Sequence, residues 1–517
     1  MALLRLFHLP VRLLRRWVSD GIMARVLRNT GLLLSGRVAT GILSLAILSI
    51  AARALGAEEF GLVVLVQTYV QTITAVATFQ SWQAVIRYGA LDLEKRDMAA
   101  FHALLRFCTV LDVAGAVLAT IVAIAVVPLV GPLLGWNPEV MAAARPYALV
   151  TLFAITATPT GLLRLHDRFD LLSIQSVVSP ALRLVGVALA AFFGWSLAAY
   201  LAVWFVGGAV AGVVLIAMGW HQAWKSGQLA GFDIRLVAWF APPARHPGLW
   251  RFAILSNLHV TVQTVTGYLT PVLVGALAGP AQAGLFKIAR DVATAITKPA
   301  ELLNNSVYPE FARLAGQGQW RAFPRLILRG GSMAAGAGTL LIVMALFIGP
   351  TFLAAFFGPD FVAAQGPMLL LGAAATLTIA GFAFDPALYA MGRPAIPLQV
   401  NTAAVALYLP VLAVLTPAYG AYGAGAASLL ASIAVFVAMG AFTFIHVRRV
   451  LRPAASAPSA AGARPSNEGA PTRDGLSARA PGPTSNRHTP ARSHHSRRPP
   501  EQPRPRERSA GGPSARR

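Results

Sequence analysis

The sequence predicts an all-α, polytopic membrane protein with about 12 transmembrane helices arranged as two six-helix bundles. Three observations carry this prediction. Of the 517 residues, 56% are hydrophobic and only 12% are charged, whereas an ordinary soluble domain has ~25% charged residues. The mean hydropathy is +0.61. Apolar runs of roughly 20 residues, the length that a helix needs to cross a bilayer, recur from residue 31 to residue 447.

Polar segments divide the chain. Residues 1–29 hold six arginines and one acid, which predicts a basic amphipathic segment on the membrane surface rather than a cleavable signal peptide. Residues 220–250 combine charge with proline and predict a cytoplasmic amphipathic linker between bundles 30–219 and 251–447. Residues 448–517, rich in Pro, Ser and Arg, predict a disordered basic cytoplasmic tail. The predicted spans are 31–52, 60–80, 104–130, 142–163, 171–193, 196–219, 251–278, 283–306, 327–349, 362–390, 395–416 and 422–446.

The two halves resemble one another. TGILSLAILSIAARALGAEEFGLVVL has an echo in TGYLTPVLVGALAGPAQAGLFKI, which aligns Gly61 with Gly284 at an offset of 223 residues. A weaker echo aligns Arg168 with Arg393 at an offset of 225. We interpret these matches as a parallel duplication of a six-helix unit, with chance similarity between Ala/Leu/Gly-rich helices as the alternative.

Basic residues in the predicted loops set the orientation. Fifteen lie in the loops on the side of the N-terminus, and only Arg53 and Arg145 lie in the opposite loops. The fifteen are Arg87, Lys95, Arg96, Arg106, Arg164, Arg168, Lys225, Arg235, Arg245, Arg251, Arg313, Arg321, Arg325, Arg329 and Arg393. We therefore expect both termini in the cytoplasm.

One predicted span, within residues 283–313, carries charge at membrane depth. At 100° per residue its polar side chains fall on one face about 100° wide, and apolar side chains occupy the rest. Intramembrane charges usually face a polar cavity or pair with one another, and Lys287–Asp291 and Lys298–Glu301 have the i,i+4 spacing for pairing. The face consists of Lys287, Arg290, Asp291, Thr294, Lys298, Glu301 and Asn305.

Other polar residues lie in the spans that begin each half, so we expect a central cationic cavity between those spans. The candidate substrate-binding cations are Arg37, Arg53, Arg183, Lys287, Arg290 and Lys298. The candidate counter-ions or coupling groups are Asp291, Glu301 and Asp112. The candidate polar lining is Gln67, Gln71, Asn257, Thr261 and Asn305. The structural alternatives to a cavity are that Arg37 snorkels to the lipid head groups and that the other polar side chains form hydrogen bonds between neighbouring helices.

The sequence shows no catalytic or cofactor motif. Cys108 is the only cysteine, and the ten histidines show no metal-binding spacing such as HExxH. There is no GxSxG, P-loop or dinucleotide fingerprint. We expect no metal, cofactor or enzymatic activity. The net charge of +23 lies mainly in the tail and short loops, so we expect no nucleic-acid binding.

Several stretches resemble the Wzx-type oligosaccharide flippases, which are polysaccharide or lipopolysaccharide biosynthesis proteins of the multidrug/oligosaccharidyl-lipid/polysaccharide exporter superfamily. The resemblance runs from about Asn29 to Val450 and rests on RALGAEEFGLVVL, AGLFKIARDV, NNSVYPEFARL, LYAMGRPAIPL and LTPAYGAYGAGAASLLA. It implies alternating access around a cationic cavity. The implied cargo is an undecaprenyl-diphosphate-linked oligosaccharide, moved across the inner membrane. We expect a monomer that works beside polysaccharide assembly proteins.

Three alternatives remain. A drug/cation exporter of the same superfamily would need buried carboxylates for its cargo, whereas the six candidate cations outnumber Asp291 and Glu301. A membrane polysaccharide polymerase or ligase would need a large outer loop, and the predicted outer loops are short. A structural scaffold would leave the intramembrane charges unexplained.

Overall fold

The computed structural model describes residues 21–233, 246–393 and 395–451. The predicted N-terminal segment up to residue 20, residues 234–245 of the predicted linker, and the tail from residue 452 lie outside the described residues. All regular secondary structure in the described part is helical, so the predicted all-α class is confirmed.

The described residues form thirteen α-helices. They are α1 (Gly21–Ala77), α2 (Ser81–Glu94), α3 (Met98–Leu133), α4 (Pro138–Ala148), α5 (Ala157–Leu165), α6 (Phe169–Phe192), α7 (Leu197–Lys225), α8 (Leu249–Ala278), α9 (Pro280–Gly316), α10 (Ala322–Phe357), α11 (Gln365–Ala380), α12 (Phe384–Ala390) and α13 (Ala395–Leu451). Short 3₁₀ segments, Leu149–Ala154 and Pro359–Ala364, precede α5 and α11.

Two of these helices are each broken by one glycine. A straight helix of 57 residues would be about 86 Å long, almost three times the ~30 Å hydrocarbon core. In α1 the break is Gly56 (φ 69°, ψ 178°), and in α13 it is Gly420 (φ 57°, ψ −137°). Only glycine reaches such angles without strain. We call the parts before and after each break α1a and α1b, and α13a and α13b.

The described helices then form twelve passes, counting α1b–α2, α4–α5 and α11–α12 as one pass each. By length and composition, eight helical stretches of the described chain could cross a membrane, and two of these stretches contain the glycine breaks. The passes α8 and α9 are not among the eight. The protein is therefore a polytopic membrane protein.

The turns between passes repeat along the chain. Residues with positive φ recur in five pairs, at offsets of 222–226 residues: Gly56 with Gly279, Arg96 with Gly318, Gly135 with Gly358, Asp167 with Gly392, and Gly194 with Gly420. These offsets agree with the 223 and 225 of the sequence matches. The turns at positions 56, 135, 194, 279, 358 and 420 define the glycine end of the bundle, and the turns at 96, 167, 318 and 392 define its basic end.

Apolar packing joins the two halves at the glycine end. One buried cluster, the shared cluster, contains residues from both halves, including Phe60, Trp136, Phe286, Phe361 and Ala421. At the basic end the described residues form two separate clusters. The N-half cluster includes Phe101, Leu105 and Leu162, with Leu249 and Ala253 from the start of α8. The C-half cluster includes Phe311, Phe323, Phe384 and Val447. Among the described residues, the halves therefore share apolar packing at the glycine end and pack into separate clusters at the basic end.

The packing at the glycine end depends on a contact between two glycines. Gly61 of α1b and Gly284 of α9 are the residues that the duplication aligns. A Cβ on Gly284 would lie 3.2 Å from the Cα of Gly61, and a Cβ on Gly61 would overlap the carbonyl oxygen of Pro280. The two helices meet here because neither position has a side chain.

We predict that Gly61→Ala destabilises the protein by about 1–3 kcal/mol, because the methyl group must push α9 away from α1b. Gly336→Ala is the matched control, since no atom lies within 4 Å of its added Cβ and alanine is the better helix former by about 0.5–1 kcal/mol. Thermal unfolding of the purified variants checks this. A melting temperature of Gly61→Ala at or above that of Gly336→Ala would contradict it.

Candidate functional site: a charged helix between the halves

The candidate site is the region beside the polar face of α9, where this helix packs against α1b and α8. We call this region the cleft; it starts at the Gly61–Gly284 contact and extends toward the basic end. The helix α9 packs against α1, α8 and α11, so it stands between the N-terminal half and the rest of the C-terminal half. Its buried face holds Phe286, Ile288 and Ala289. Its polar side chains follow on the other face from Lys287 onward.

Lys287 and Asp291 form an ion pair one helical turn apart on α9. Their side chains are 22% and 28% exposed, so the pair is neither buried in the core nor fully open to solvent. The hydroxyl of Thr294 donates to the carbonyl oxygen of Asp291 at 3.0 Å. The pairing that the i,i+4 spacing predicts is therefore present, and it neutralises the charge of Lys287.

Arg290 is anchored by a backbone group that a proline has freed. Its Nη1 donates to the carbonyl oxygen of Gly267 in α8. In a regular helix that oxygen would accept from the N–H of residue 271, but residue 271 is Pro271, which has no N–H. Arg290 supplies the missing donor, because a carbonyl without a partner is costly in a lipid environment. A guanidinium has five N–H groups, so most of its donors remain available.

Prolines explain two other hydrogen bonds between passes, because each proline leaves the carbonyl four residues earlier without its helical donor. Pro180 in α6 frees the carbonyl of Ser176, which accepts from the hydroxyl of Thr40 at 3.1 Å. Pro350 in α10 frees the carbonyl of Leu346, which accepts from the Gln365 amide at 3.1 Å. The sequence analysis did not identify these freed carbonyls. Pro180 and Pro271 lie in predicted spans, so counting back four residues from each would have found Ser176 and Gly267.

Arg53 joins the halves at the glycine end rather than lining the cleft. Its Nε donates to the carbonyl oxygen of Phe356 at 3.0 Å, and one Nη contacts the carbonyls of Ala354 and Ala355. Ser49 also donates to the carbonyl oxygen of Phe356. These carbonyls end α10, where the negative end of the helix dipole favours a cation. The expectation that Arg53 lies in the cavity is corrected: it caps α10 from α1a.

The other two arginines belong to the N-terminal half. Arg183 lies between α6 and α7, where its Nη2 donates to the carbonyl oxygen of Trp204 at 3.3 Å and its guanidinium lies over the Trp204 ring. It therefore faces the interior of this half instead of the cleft. Arg37 is exposed on α1a and interacts electrostatically with Arg164, a cation of the same sign.

Asp112 has a structural position. Its side chain is 2% exposed, and its Oδ2 accepts from the backbone N–H of Thr158 at 2.8 Å, in the first turn of α5. The hydroxyl of Ser81, at the start of α2, lies beside the same carboxylate. Two helix N-termini thus meet this anion, which is the arrangement that helix dipoles favour. Asp112 is not a counter-ion of the cleft, because it is buried inside the N-terminal half.

The structure describes four of the five residues of the predicted polar lining. Gln67 and Gln71 are half-buried on α1b. On α8, Thr261 donates to the carbonyl oxygen of Ala75 at 3.3 Å, and the buried Oδ1 of Asn257 has no hydrogen-bond partner in the described part of the chain. The side chains of Lys298, Glu301 and Asn305 lie outside the described residues, although their backbone continues α9.

We predict that Asp112→Ala costs about 1–3 kcal/mol of stability, because the buried N–H of Thr158 loses its acceptor. Asp112→Asn keeps an acceptor oxygen and should fold to wild-type level. The unfolding temperature and the yield of monodisperse protein check this. An Asp112→Asn variant with a normal unfolding temperature and no transport would show that the negative charge does more than cap α5.

Comparison with known proteins agrees with this architecture. A family of polysaccharide biosynthesis proteins matches residues 26–315. The inner membrane protein YghQ of Escherichia coli (strain K12) is 30% identical over 337 residues, which are 65% of this chain and 93% of that protein.

Two solved structures share the fold. An inward-facing MATE multidrug transporter of the MOP superfamily has a TM-score of 0.62 at 12% identity, covering 80% of this chain and 96% of its own. The lipid II flippase MurJ, in an inward closed conformation, has a TM-score of 0.58 at 11% identity, covering 81% and 90%. The family match spans more than half of the sequence, and the chain belongs to the polysaccharide biosynthesis protein family.

Proposed function

We propose that this protein is a flippase. Its cargo is an undecaprenyl-diphosphate-linked oligosaccharide, which it moves from the cytoplasmic to the periplasmic leaflet of the inner membrane by alternating access. Both termini are cytoplasmic, so the basic end faces the cytoplasm, as the asymmetry of basic residues in the loops requires. The family membership and the MurJ-like fold support a transporter of this class.

The proposal rests on a difference between two cations of α9, one paired with a carboxylate and one not. Lys287 is neutralised by Asp291, whereas Arg290 has only a backbone partner among the described residues. A half-buried guanidinium without a carboxylate retains its positive charge for a cargo. Its planar fork matches two oxygens of a diphosphate, and the low dielectric of the cleft strengthens that contact.

The divided basic end supplies the route for the cargo. In this state the diphosphate enters from the cytoplasm between the N-half and C-half clusters, and the half-buried amides of Gln67 and Gln71 offer hydrogen bonds to sugar hydroxyls. The shared cluster and the Arg53 contacts close the other end. Release to the periplasm requires these contacts to break while the two basic-end clusters approach one another.

The polyprenyl tail needs no polar site. It is chemically equivalent to the lipid around it, so it stays in the bilayer while the head group crosses through the cleft. The drug/cation exporter alternative is weaker. A cationic cargo needs a buried carboxylate, and the buried carboxylate of Asp112 already faces two helix N-termini.

We predict that removing the charge of Arg290 abolishes flipping even when its anchoring role is replaced. Arg290→Gln keeps an amide donor for the Gly267 carbonyl but removes the charge. Adding Pro271→Ala restores the helical N–H that this carbonyl lacks, so the double variant needs no anchor from α9. Arg290→Lys keeps the charge without the fork and should retain partial activity.

The measurement is the rate at which proteoliposomes move a polyprenyl-diphosphate-linked oligosaccharide between leaflets, normalised to the folded protein. Pro271→Ala alone is the matched control. Wild-type flipping by the Arg290→Gln/Pro271→Ala double variant would reduce Arg290 to a structural residue and contradict its proposed contact with the diphosphate.

A further inference from the structure

The start of α10 carries an uncovered row of three arginines. Arg321, Arg325 and Arg329 follow one another at four-residue spacing and are all exposed. The opposite face of the same turns is buried through Phe323 and Ile327. The row is therefore a surface feature, and it extends over about 12 Å along the helix.

This row has no counter-charge within the described part of the protein. None of the three guanidinium groups forms an ion pair with a described residue, and the first turn of α10 contains no acid. Three cations beside the positive end of a helix dipole repel both it and one another. Such an arrangement is stabilised when an anion from outside the chain binds to it.

The duplicated half provides an internal comparison. At an offset of 223 residues, Arg106 of α3 corresponds to Arg329. Arg106 is half-buried and packs over the ring of Phe232 from the linker, at 5.7 Å. The helix α3 also begins with an acidic cap, because Asp97 accepts from the backbone N–H of Ala100. The start of α10 has neither this acid nor a described covering segment.

The chain's own termini are unsuited to cover the row. Residues 1–29 hold six arginines and one acid, and residues 452–517 hold thirteen arginines and four acids. Like charges repel, so neither segment complements three arginines. The occupant must be an anion from another molecule.

Position along α10 indicates which anion it is. Directly after Arg329 the helix continues without a charged residue to Phe357. Its surface there is apolar, with Met333 and Leu340 exposed by 77% and 68%. Arginines at the first turns and exposed apolar side chains beyond them match the head group and the acyl chains of a phospholipid.

We propose that Arg321, Arg325 and Arg329 bind the head group of an anionic phospholipid, with its acyl chains along the exposed apolar face of α10. This lipid site lies outside the cleft and is independent of the transported cargo. It provides the negative charge that α10 lacks and holds the basic end of the C-terminal half against the leaflet.

Native mass spectrometry of the full-length protein, titrated with phosphatidylglycerol, phosphatidylcholine or inorganic phosphate, tests this site. The triple variant Arg321→Gln/Arg325→Gln/Arg329→Gln should bind phosphatidylglycerol about 100-fold more weakly, because each arginine near an anionic lipid contributes about 1 kcal/mol. The matched control replaces Lys225, Arg251 and Arg393, which are exposed cations elsewhere on the basic end, by glutamine. It should bind within about threefold of wild type.

A second readout is the unfolding temperature. Phosphatidylglycerol should raise it for the wild type and the control, and not for the triple variant, since a ligand stabilises only the protein that binds it. Equal lipid binding by the two triple variants would overturn the site. Displacement of the lipid by millimolar phosphate would assign the arginines to a small anion instead. If the wild type and the control are dimers and only the α10 triple variant is a monomer, the three arginines would bind a second copy of the chain instead.

Discussion

The close approach of Gly61 and Gly284 determines how the two halves of this protein are arranged. Because neither residue has a side chain, α1b and α9 touch at the glycine end, and backbone packs directly against backbone. The shared apolar cluster surrounds this contact. Toward the basic end the described residues of the two halves pack into separate clusters, and the charged face of α9 lies between the halves. The position of the candidate site follows from this one contact.

A second constraint comes from the membrane. Each proline inside a pass frees a carbonyl four residues earlier, and a lipid environment offers no water to satisfy it. The described structure meets this need at Ser176, Gly267 and Leu346 with side chains from other passes. Arg290 therefore has two roles in our account. Its hydrogen bond to Gly267 fixes the guanidinium in place, and the charge that remains is available to the cargo.

Much of the fold could be predicted from the sequence because each helical pass is determined by the residues within it. Apolar length predicted the helices, and the matches at Gly61 and Arg168 predicted the offset at which the turns repeat. Helical spacing predicted the Lys287–Asp291 pair, since both residues lie on the same helix.

The sequence could not show which neighbour each polar side chain meets. Helical periodicity places Arg53, Arg183 and Asp112 on a face of their own helix, but their partners are on other helices. Arg53 caps α10, Arg183 packs on Trp204, and Asp112 caps α5. All three were expected at one cavity, because charge in a membrane suggests function. Helix termini and freed carbonyls supply equally good partners.

Distances between spin labels at the two ends of the bundle test the account most directly. One pair of labels, at Glu58 and Asp360, measures the glycine end, and the other, at Glu94 and Gln317, measures the basic end. All four positions are exposed. The native Cys108 is buried. Double electron–electron resonance in proteoliposomes should show a short glycine-end distance in the resting protein. When a polyprenyl-diphosphate-linked oligosaccharide is supplied, a second population should appear with a longer glycine-end distance and a shorter basic-end distance. Distances that stay fixed, or that lengthen together, while flipping proceeds would contradict alternating access about the Gly61–Gly284 contact.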